Sequence, residues 1–500
     1  MVEFFRIVTW ILLITLAYFN LFNVAPKAVV IGTYPYLVGI TIILGLSMIM
    51  LRFTHNRFGI IIIQTLLVST LVFGLFTFVQ VWRNSQLFND YQKNRSGYMD
   101  ELMQITRKGS QEQDLLNSFQ KGIANLIEKN IGIPLTYHNK ATLFFQEEEI
   151  FDEMIESISQ AKHHIHIEFF IIRDDEIGKK FRNILIGKAK EGVEVRIVYD
   201  GLGSHGIKRS YVRELREVGV EIVAYDTVIQ SILKGKLNHR NHRKLVIIDG
   251  KVGFTGGVNI GDEYLGRDDQ IGKWKDMQVK IEGEAVNWMQ KIFLGDWYYV
   301  TDEQLEDERY FPKQDRYDQL PIQLVTSGYD THWNEISQLY FTMATGAQES
   351  LYIATPYLIL NDSMIKALET AALRGVDVKI VLPKKADFFL VGWANESYFE
   401  RLLKASVEIY QYDEGFLHSK VFVADRDVLS VGSANLNTRS LFLDYEVNAV
   451  IFDEELVGKM VGELSHNIAD SKQLTLKEHQ RRSFLQKVKE FIGRLIVPIA

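Results

Sequence analysis

His242-Arg243-Lys244-Leu245-Val246-Ile247-Ile248-Asp249, followed by Gly256-Gly257-Val258-Asn259, decides how this chain folds, because the pattern occurs twice. It returns as His418-Ser419-Lys420-Val421-Phe422-Val423-Ala424-Asp425, then Gly432-Ser433-Ala434-Asn435. Counted from each histidine, Lys falls at +2, Asp at +7, Gly at +14 and Asn at +17 in both copies. Alternate residues of a strand share a face, so each His and its Lys point the same way. The apolar residues after each Lys bury the strand. Asp249 and Asp425 end it, and a turn brings in Gly257 or Ser433 and then Asn259 or Asn435. A small residue lets backbone approach a bound phosphate, and the amide adds a donor.

The surroundings repeat too. Gly192-Val193-Glu194-Val195-Arg196-Ile197-Val198 in the first half matches Gly375-Val376-Asp377-Val378-Lys379-Ile380-Val381 in the second almost type for type. Each is preceded by an amphipathic helix, about 178–190 and 362–374, and by an apolar strand, Ile165–Ile172 and Ser350–Ala354. Strand–helix–strand order predicts an α/β fold with a mixed, mainly parallel sheet and flanking helices. A repeat of this length predicts two similar lobes forming one active-site cleft. The lobes are expected at 131–318 and 319–480, with the boundary near Gln314–Gln323.

Two lobes related in this way bring two His, two Lys and two Asn around one cleft, which suits phosphodiester chemistry. One histidine attacks phosphorus. The other protonates the departing alkoxide and then deprotonates the incoming alcohol. Lys244, Lys420 and the asparagines steady charge on the non-bridging oxygens, and no metal or other cofactor is required. A single His-x-Lys is usually a solvated strand face; two copies with the same downstream Gly and Asn are not.

The rest of the chain says where this chemistry takes place. Three runs without charged residues, Ile7–Pro26, Ala28–Leu51 and Phe58–Trp82, each reach the length a membrane-crossing helix needs. Residues 1–83 are expected to be an anchor of about three transmembrane helices, and 84–130 a polar helical connector with Leu115, Phe119, Ile123 and Leu126 on one buried stripe. Arg6, Arg52 and Arg57 nearly balance Lys27, Arg83, Lys93 and Arg95 across such an anchor, with a slight lean towards cytoplasmic lobes. The net charge of −7 argues against nucleic acid as a partner. With no cysteine, thiol nucleophiles and thiolate metal sites are excluded.

Four further features have a plain and a functional reading. His163, His164 and His166 read as ordinary strand residues rather than metal ligands. Asp200-Gly201-Leu202-Gly203-Ser204 fits a phosphate cradle or a strand-to-helix turn equally. The aromatic segment Asp387–Phe399, after Lys384 and Lys385, reads chiefly as core with some reach towards headgroups. Residues 481–500 are expected to form a basic amphipathic helix, with Phe484, Val488, Phe491 and Leu495 at helical spacing among Arg481, Arg482, Lys487, Lys489 and Arg494, which fits a helix lying on anionic lipid or a plain helix packed on the second lobe equally.

The paired motifs resemble those of the phospholipase D superfamily. Asn238-His239-Arg240-Asn241-His242-Arg243-Lys244, Trp274-Lys275-Asp276 and Gly432-Ser433-Ala434-Asn435-Leu436-Asn437-Thr438-Arg439-Ser440, with the N-terminal spans, are similar to its bacterial cardiolipin synthase family. Three spans rather than two is a departure from that pattern. The resemblance implies that two phosphatidylglycerol molecules give cardiolipin and glycerol through a phosphatidyl-histidine intermediate, with the lipid bilayer as the setting. It implies His242 as nucleophile and His418 as acid and base. Asp276 and Glu446, at similar places after the two motifs, are expected to orient the histidine opposite each, while Asp249 and Asp425, counted in the catalytic set with the motif's His and Lys, look more structural. A phospholipase D-type hydrolase would share every one of these residues, and a non-catalytic lipid-binding protein would not need them intact.

Overall fold

The computed structural model describes residues 97–98, 102, 115–227, 240–267, 272–328, 331 and 333–496. The three expected spans lie outside the described residues. Among the described residues, no helix is long and apolar enough to cross a membrane.

The first half contributes β1 (Thr136–Phe144), β2 (His164–Phe169), β3 (Glu194–Asp200), β4 (Glu221–Tyr225), β5 (Leu245–Ile248), β6 (Val252–Gly256), β7 (Trp274–Lys275) and β8 (Gln278–Gly283). The second contributes β9 (Gln319–Ser327), β10 (Ser350–Ala354), β11 (Asp377–Pro383), β12 (Glu408–Tyr412), β13 (Phe416–Leu417), β14 (Val421–Ala424), β15 (Val428–Gly432), β16 (Glu446–Ile451) and β17 (Ser471–Leu474). All but β7 and β13 lie in one sheet, in the order β17-β12-β11-β10-β14-β15-β16-β9-β1-β8-β6-β5-β2-β3-β4. Read outward from the central β9–β1 pair, the two halves have the same order: β9-β16-β15-β14-β10-β11-β12 mirrors β1-β8-β6-β5-β2-β3-β4.

The sheet is mixed, with flanking helices, but it is not mainly parallel. Among the described residues, two neighbouring pairs in each half are parallel, β2–β3 and β3–β4 and their counterparts β10–β11 and β11–β12; the other pairs of the large sheet are antiparallel. The strand–helix–strand units give the parallel pairs, as their order predicts. The motif strands behave differently because they end in a tight turn. Asp249 and Gly250 both take left-handed φ, 54° and 63°, and Lys251 N–H bonds back to Ile248 O at 2.9 Å. Asp-Gly favours that geometry, and it folds β6 back on β5 as a hairpin. Asp425, also at φ 54°, begins the turn from β14 to β15.

Each half has its own apolar core. Ile165, Ile167, Val195, Ile197, Val246 and Phe254 anchor the first; Leu351, Ile353, Val378, Ile380, Phe422 and Val450 anchor the second. Each such side chain fully removed from water contributes about 1.5–3 kcal/mol. Helix α1 (Ser118–Ile131), capped by an Asn117–Gln120 capping box, buries Ile123, Ala124 and Ile127 in the second core. Its stripe is displaced from the expected one: Leu115 is exposed and Leu126 only half-buried, while Ile127 faces inward. This part of the expected connector is therefore packed on the second lobe; Gln323 Nε2 ties it down by bonding Ala124 O and Ile133 O at 3.1 and 2.7 Å.

Candidate active site

The two motif histidines are held by the opposite half of the molecule. Just before β5, His242 N–H bonds Tyr445 O at 2.9 Å, and Tyr445 N–H bonds Arg240 O at 2.8 Å. Just before β14, β13 pairs in parallel with β7 of the first half, and His418 N–H bonds Lys275 O at 2.7 Å. These two crossings are counterparts, one on each side of the central strand pair, and they draw both histidines into one cleft.

The side chains cross in the same way. His242 Nδ1 lies 3.0 Å from both carboxylate oxygens of Glu446, and His418 Nδ1 lies 2.6 Å from Asp276 Oδ2. Both carboxylates are fully buried. An ionised carboxylate can only accept, so each imidazole donates from Nδ1 and keeps the lone pair on Nε2. Burial pushes both imidazoles down, His418 to about 4 and His242 well below its ordinary range, with Lys420 and Lys244 respectively as the next contributions. Both rings are therefore neutral in the free site, which is the nucleophilic form.

The carboxylates differ from each other. Burial pushes Glu446 up to about 7, with Lys244 opposing it. Burial also works to raise Asp276, but His418 and Lys420 beside it outweigh that, and it sits below its ordinary value. Asp276 is thus the firmer anion and makes the shorter bond.

Each lysine is pinned to its own motif. Lys244 Nζ bonds His242 O at 2.7 Å, and Lys420 Nζ bonds His418 O. Burial lowers Lys244 to about 7 and Lys420 to about 8, against the pull of Glu446 and Asp276. Each lysine charge reaches the opposite histidine, and burial leaves each cation wanting more negative charge than the surrounding carboxylates give it. A bound phosphodiester anion supplies that charge.

The other expected site residues do different work. Asp249 and Asp425 are not in the cleft, which corrects their assignment to the catalytic set. Asp249 accepts the backbone N–H groups of Lys162, His163 and His164 at 2.7–3.0 Å. Asp425 does the same for Gln348, Glu349 and Ser350 at 2.7–3.1 Å. Each clamps the start of a neighbouring strand, five residues beyond its Lys, which at the rise of a strand is about 16 Å away.

Gly257 and Ser433 likewise support the carboxylates rather than line the phosphate position. A Cβ on Gly257 would meet Asp276 Oδ1 at 2.1 Å, so only glycine leaves that carboxylate its place. Ser433 Oγ donates to Glu446 and accepts Val447 N–H at 3.0 Å. Of the asparagines, Asn259 is committed to Ile171 N–H at 3.1 Å and Tyr264 OH at 2.8 Å. Asn435 is buried, and its Oδ1 has no hydrogen-bond partner among the described residues.

The loop Asp200–Ser204 is a turn and not a cradle. Asp200 Oδ1 takes Leu202 and Gly203 N–H at 2.9 and 2.8 Å, and its Oδ2 takes Asn241 N–H at 3.1 Å. His164 and His166 share Gln290, at 3.1 and 2.7 Å, inside the first core. Among the described residues no cluster of His, Cys, Asp or Glu could hold a metal ion.

A buried support network behind His242 was not legible in the sequence. Asn241 Nδ2 bonds Glu168, and Arg243 pairs with Asp296 on the helix Glu284–Thr301 while its Nε reaches Glu446 O at 3.2 Å. Phe170 packs edge-on to His242 at 4.9 Å. Asn241 and Arg243 flank the motif histidine, but Glu168, Asp296 and Phe170 are distant in sequence and join it only through folding.

With this geometry in view, the comparisons with known proteins are specific. A family model described as "Cardiolipin synthase, PLD-like domain" matches residues 154–297 and 340–468. A cardiolipin synthase of Geobacillus sp. (strain WCH70) is 38% identical over 472 residues, covering 92% of this chain and 94% of that protein. A cardiolipin synthase of Halalkalibacterium halodurans is 34% identical over 474 residues, 94% of each chain. One from Geobacillus thermodenitrificans is 41% identical over 368 residues, 73% of each. Among solved structures, the phosphatidylserine synthase of Haemophilus influenzae Rd KW20 shares the fold, with a TM-score of 0.56 at 17% identity over 76% of this chain and 96% of that one.

Proposed function

The chain belongs to the cardiolipin synthase family of phospholipase D-like proteins, and from that membership we propose that its cleft moves a phosphatidyl group from one phosphatidylglycerol to another, giving cardiolipin and glycerol. The observation that carries the chemistry is the crossed pairing of two neutral imidazoles with two buried carboxylates from opposite halves, each beside a lysine.

His242 attacks phosphorus through Nε2. A P–N bond forms, the P–O bond to glycerol breaks, and His418 delivers a proton to the departing oxygen. The hydroxyl of a second phosphatidylglycerol then attacks phosphorus, gives its proton to His418, and expels His242. His418 must carry a proton for the first step, although burial holds it near 4 in the free site. The phosphodiester brings a negative charge into the same dry pocket and reverses that penalty. Glu446 steadies the positive charge on the His242 ring as the P–N bond forms, and Lys244 and Lys420 steady the phosphoryl oxygens. Asn435, whose amide oxygen has no partner among the described residues, is the acceptor for a donor such as a glycerol hydroxyl. The runs 7–26, 28–51 and 58–82 anchor the protein in the membrane beside its lipid substrates, with the lobes on the cytoplasmic side.

The test is to supply the full-length protein in membranes with phosphatidylglycerol labelled in its headgroup glycerol. Cardiolipin and free labelled glycerol in equal amounts support the transfer. Phosphatidic acid without cardiolipin identifies water as the acceptor and overturns it.

A further inference from the structure

Six of the eleven large apolar side chains exposed among the described residues lie on two packed segments near the C-terminus. Helix α2 (Phe389–Lys404) begins with Phe388 and Phe389, exposed at 45% and 58%. Helix α3 (Phe484–Ile496) packs along α2 and exposes Phe484, Leu485, Phe491 and Ile492, the first at 83%. A helix packed on a globular lobe normally turns its polar side to water. This one turns apolar side chains to water as well. Its packed side holds Glu490, ion-paired to Arg482, and Gly493, where a Cβ would come within 3 Å of Trp393 and Ala394.

At about 100° per residue, Phe484, Val488 and Phe491 point away from that packed side. Exposed Lys487 and Arg494 flank them on one edge, and Lys489 lies on the other, 5.4 Å over the Trp393 ring. Phe389 packs edge-on against Trp393 at 5.0 Å and Phe388 lies tilted against Phe389 at 5.0 Å, so the two segments form one aromatic and basic face. Residues 481–496 carry five cations and one carboxylate, in a chain whose net charge is −7. The face leads directly to the cleft. Asp387, next to Phe388, accepts Tyr357 OH at 2.6 Å and acts electrostatically on Lys420, and Tyr357 packs on the cores of both halves.

We propose that α2 and α3 form an interfacial docking surface that inserts Phe388, Phe389, Phe484 and Phe491 among the headgroups of an anionic bilayer, seating the second lobe so that the cleft receives lipid directly from the membrane. Exposed rings supply insertion, and the flanking cations select negative headgroups. The purpose of the surface rests on the phosphatidyl-transfer reading, but its existence can be measured without activity.

The chain has no cysteine, so single-cysteine variants are clean probes. Full-length Phe388→Cys, Phe491→Cys and, as control, Leu373→Cys are labelled with an environment-sensitive fluorophore. Leu373 is 72% exposed on another helix. The proteins are reconstituted in phosphatidylglycerol vesicles with brominated acyl chains and in phosphatidylcholine vesicles with the same chains. The expected result is quenching at positions 388 and 491, stronger in phosphatidylglycerol, and none at 373. Three results overturn the proposal: absence of quenching at 388 and 491, equal quenching at 373, or disulfide cross-linking between two copies of the unlabelled Phe491→Cys protein with no quenching of the labelled one. The last assigns the face to a second copy of the chain. As a second readout, Phe484→Ser with Phe491→Ser raises the surface fraction of phosphatidylglycerol needed for half-maximal rate at least about fivefold, since two inserted rings are lost, and leaves kcat on detergent-dispersed lipid unchanged. An equal loss in detergent contradicts a docking role. Quenching in a protein that makes no cardiolipin leaves the docking surface standing and removes only the transfer reading.

Discussion

Replacing Glu446 with Gln tests how the site makes a nucleophile of a buried histidine. The substitution keeps the shape and removes the charge. Both Glu446 oxygens lie 3.0 Å from His242 Nδ1, and the side chain is fully buried, so no water can take its place. At an effective dielectric of ~20, a carboxylate 3 Å from a developing ring cation is worth about 5 kcal/mol. Part of that is offset by the penalty of keeping the carboxylate dry, a penalty visible in its rise to about 7. A net loss of about 3–4 kcal/mol corresponds to roughly 10²–10³ in rate. The amide also offers an N–H to Nδ1, which would move the ring proton to Nε2 and block attack; a comparable exchange in a serine-protease triad lowers kcat about 10⁴-fold. The expected outcome is a kcat lowered at least about 10²-fold with KM little changed, and loss of any trapped phosphatidyl-enzyme. The assay is cardiolipin formation from labelled phosphatidylglycerol in mixed micelles, with acid-quenched samples examined for covalent label. A variant within tenfold of the parent would refute the idea that Glu446 sets the tautomer and steadies the ring charge.

Three other outcomes follow from the same geometry. With Lys244 lowered to about 7 and Lys420 to about 8, the free enzyme loses these charges as pH rises through those values, so kcat/KM falls on the alkaline side from about pH 7–8; Lys244→Arg, which stays charged, should move that limb to higher pH in a rate profile. Gly257→Ala places a methyl 2.1 Å from Asp276 Oδ1, which must displace the carboxylate from His418; activity should fall by about 10²-fold or more while the thermal midpoint changes far less. Asp249→Ala and Asp425→Ala each leave three backbone N–H groups without their acceptor, so stability should fall by about 2–4 kcal/mol, read as a lower melting temperature, while molecules that remain folded keep near-parental kcat.

The sequence carried the repeat, the two lobes and the identity of the paired histidines and lysines, because those depend on strand periodicity and on spacings that recur. It also carried the crossing of Asp276 to His418 and Glu446 to His242, since two lobes related by symmetry place equivalent residues opposite one another. It counted Asp249 and Asp425 in the catalytic motif while reading them as more structural, and their fixed spacing from Lys comes from ending the strand and clamping its neighbour. It misread Gly257 and Ser433 for a related reason: the small residue is required by the carboxylate behind it. The fusion of both lobes into a single sheet through β1 and β9 depends on long-range pairing that no local pattern reports. The same is true of the Glu168–Asn241 and Arg243–Asp296 contacts, which bring together residues many elements apart.

The central claim is that one cleft, built from both halves, carries phosphate on His242 while His418 handles the proton. The most direct measurement uses the His418→Ala variant with a phosphatidyl ester whose leaving group needs no proton, such as p-nitrophenol, labelled with phosphorus-32, followed by peptide mapping. The account predicts that label accumulates on His242 in this variant, and that none is found in His242→Ala. Label on His418 in the His242→Ala protein, or rapid turnover in either variant with phosphatidylglycerol itself, would contradict it.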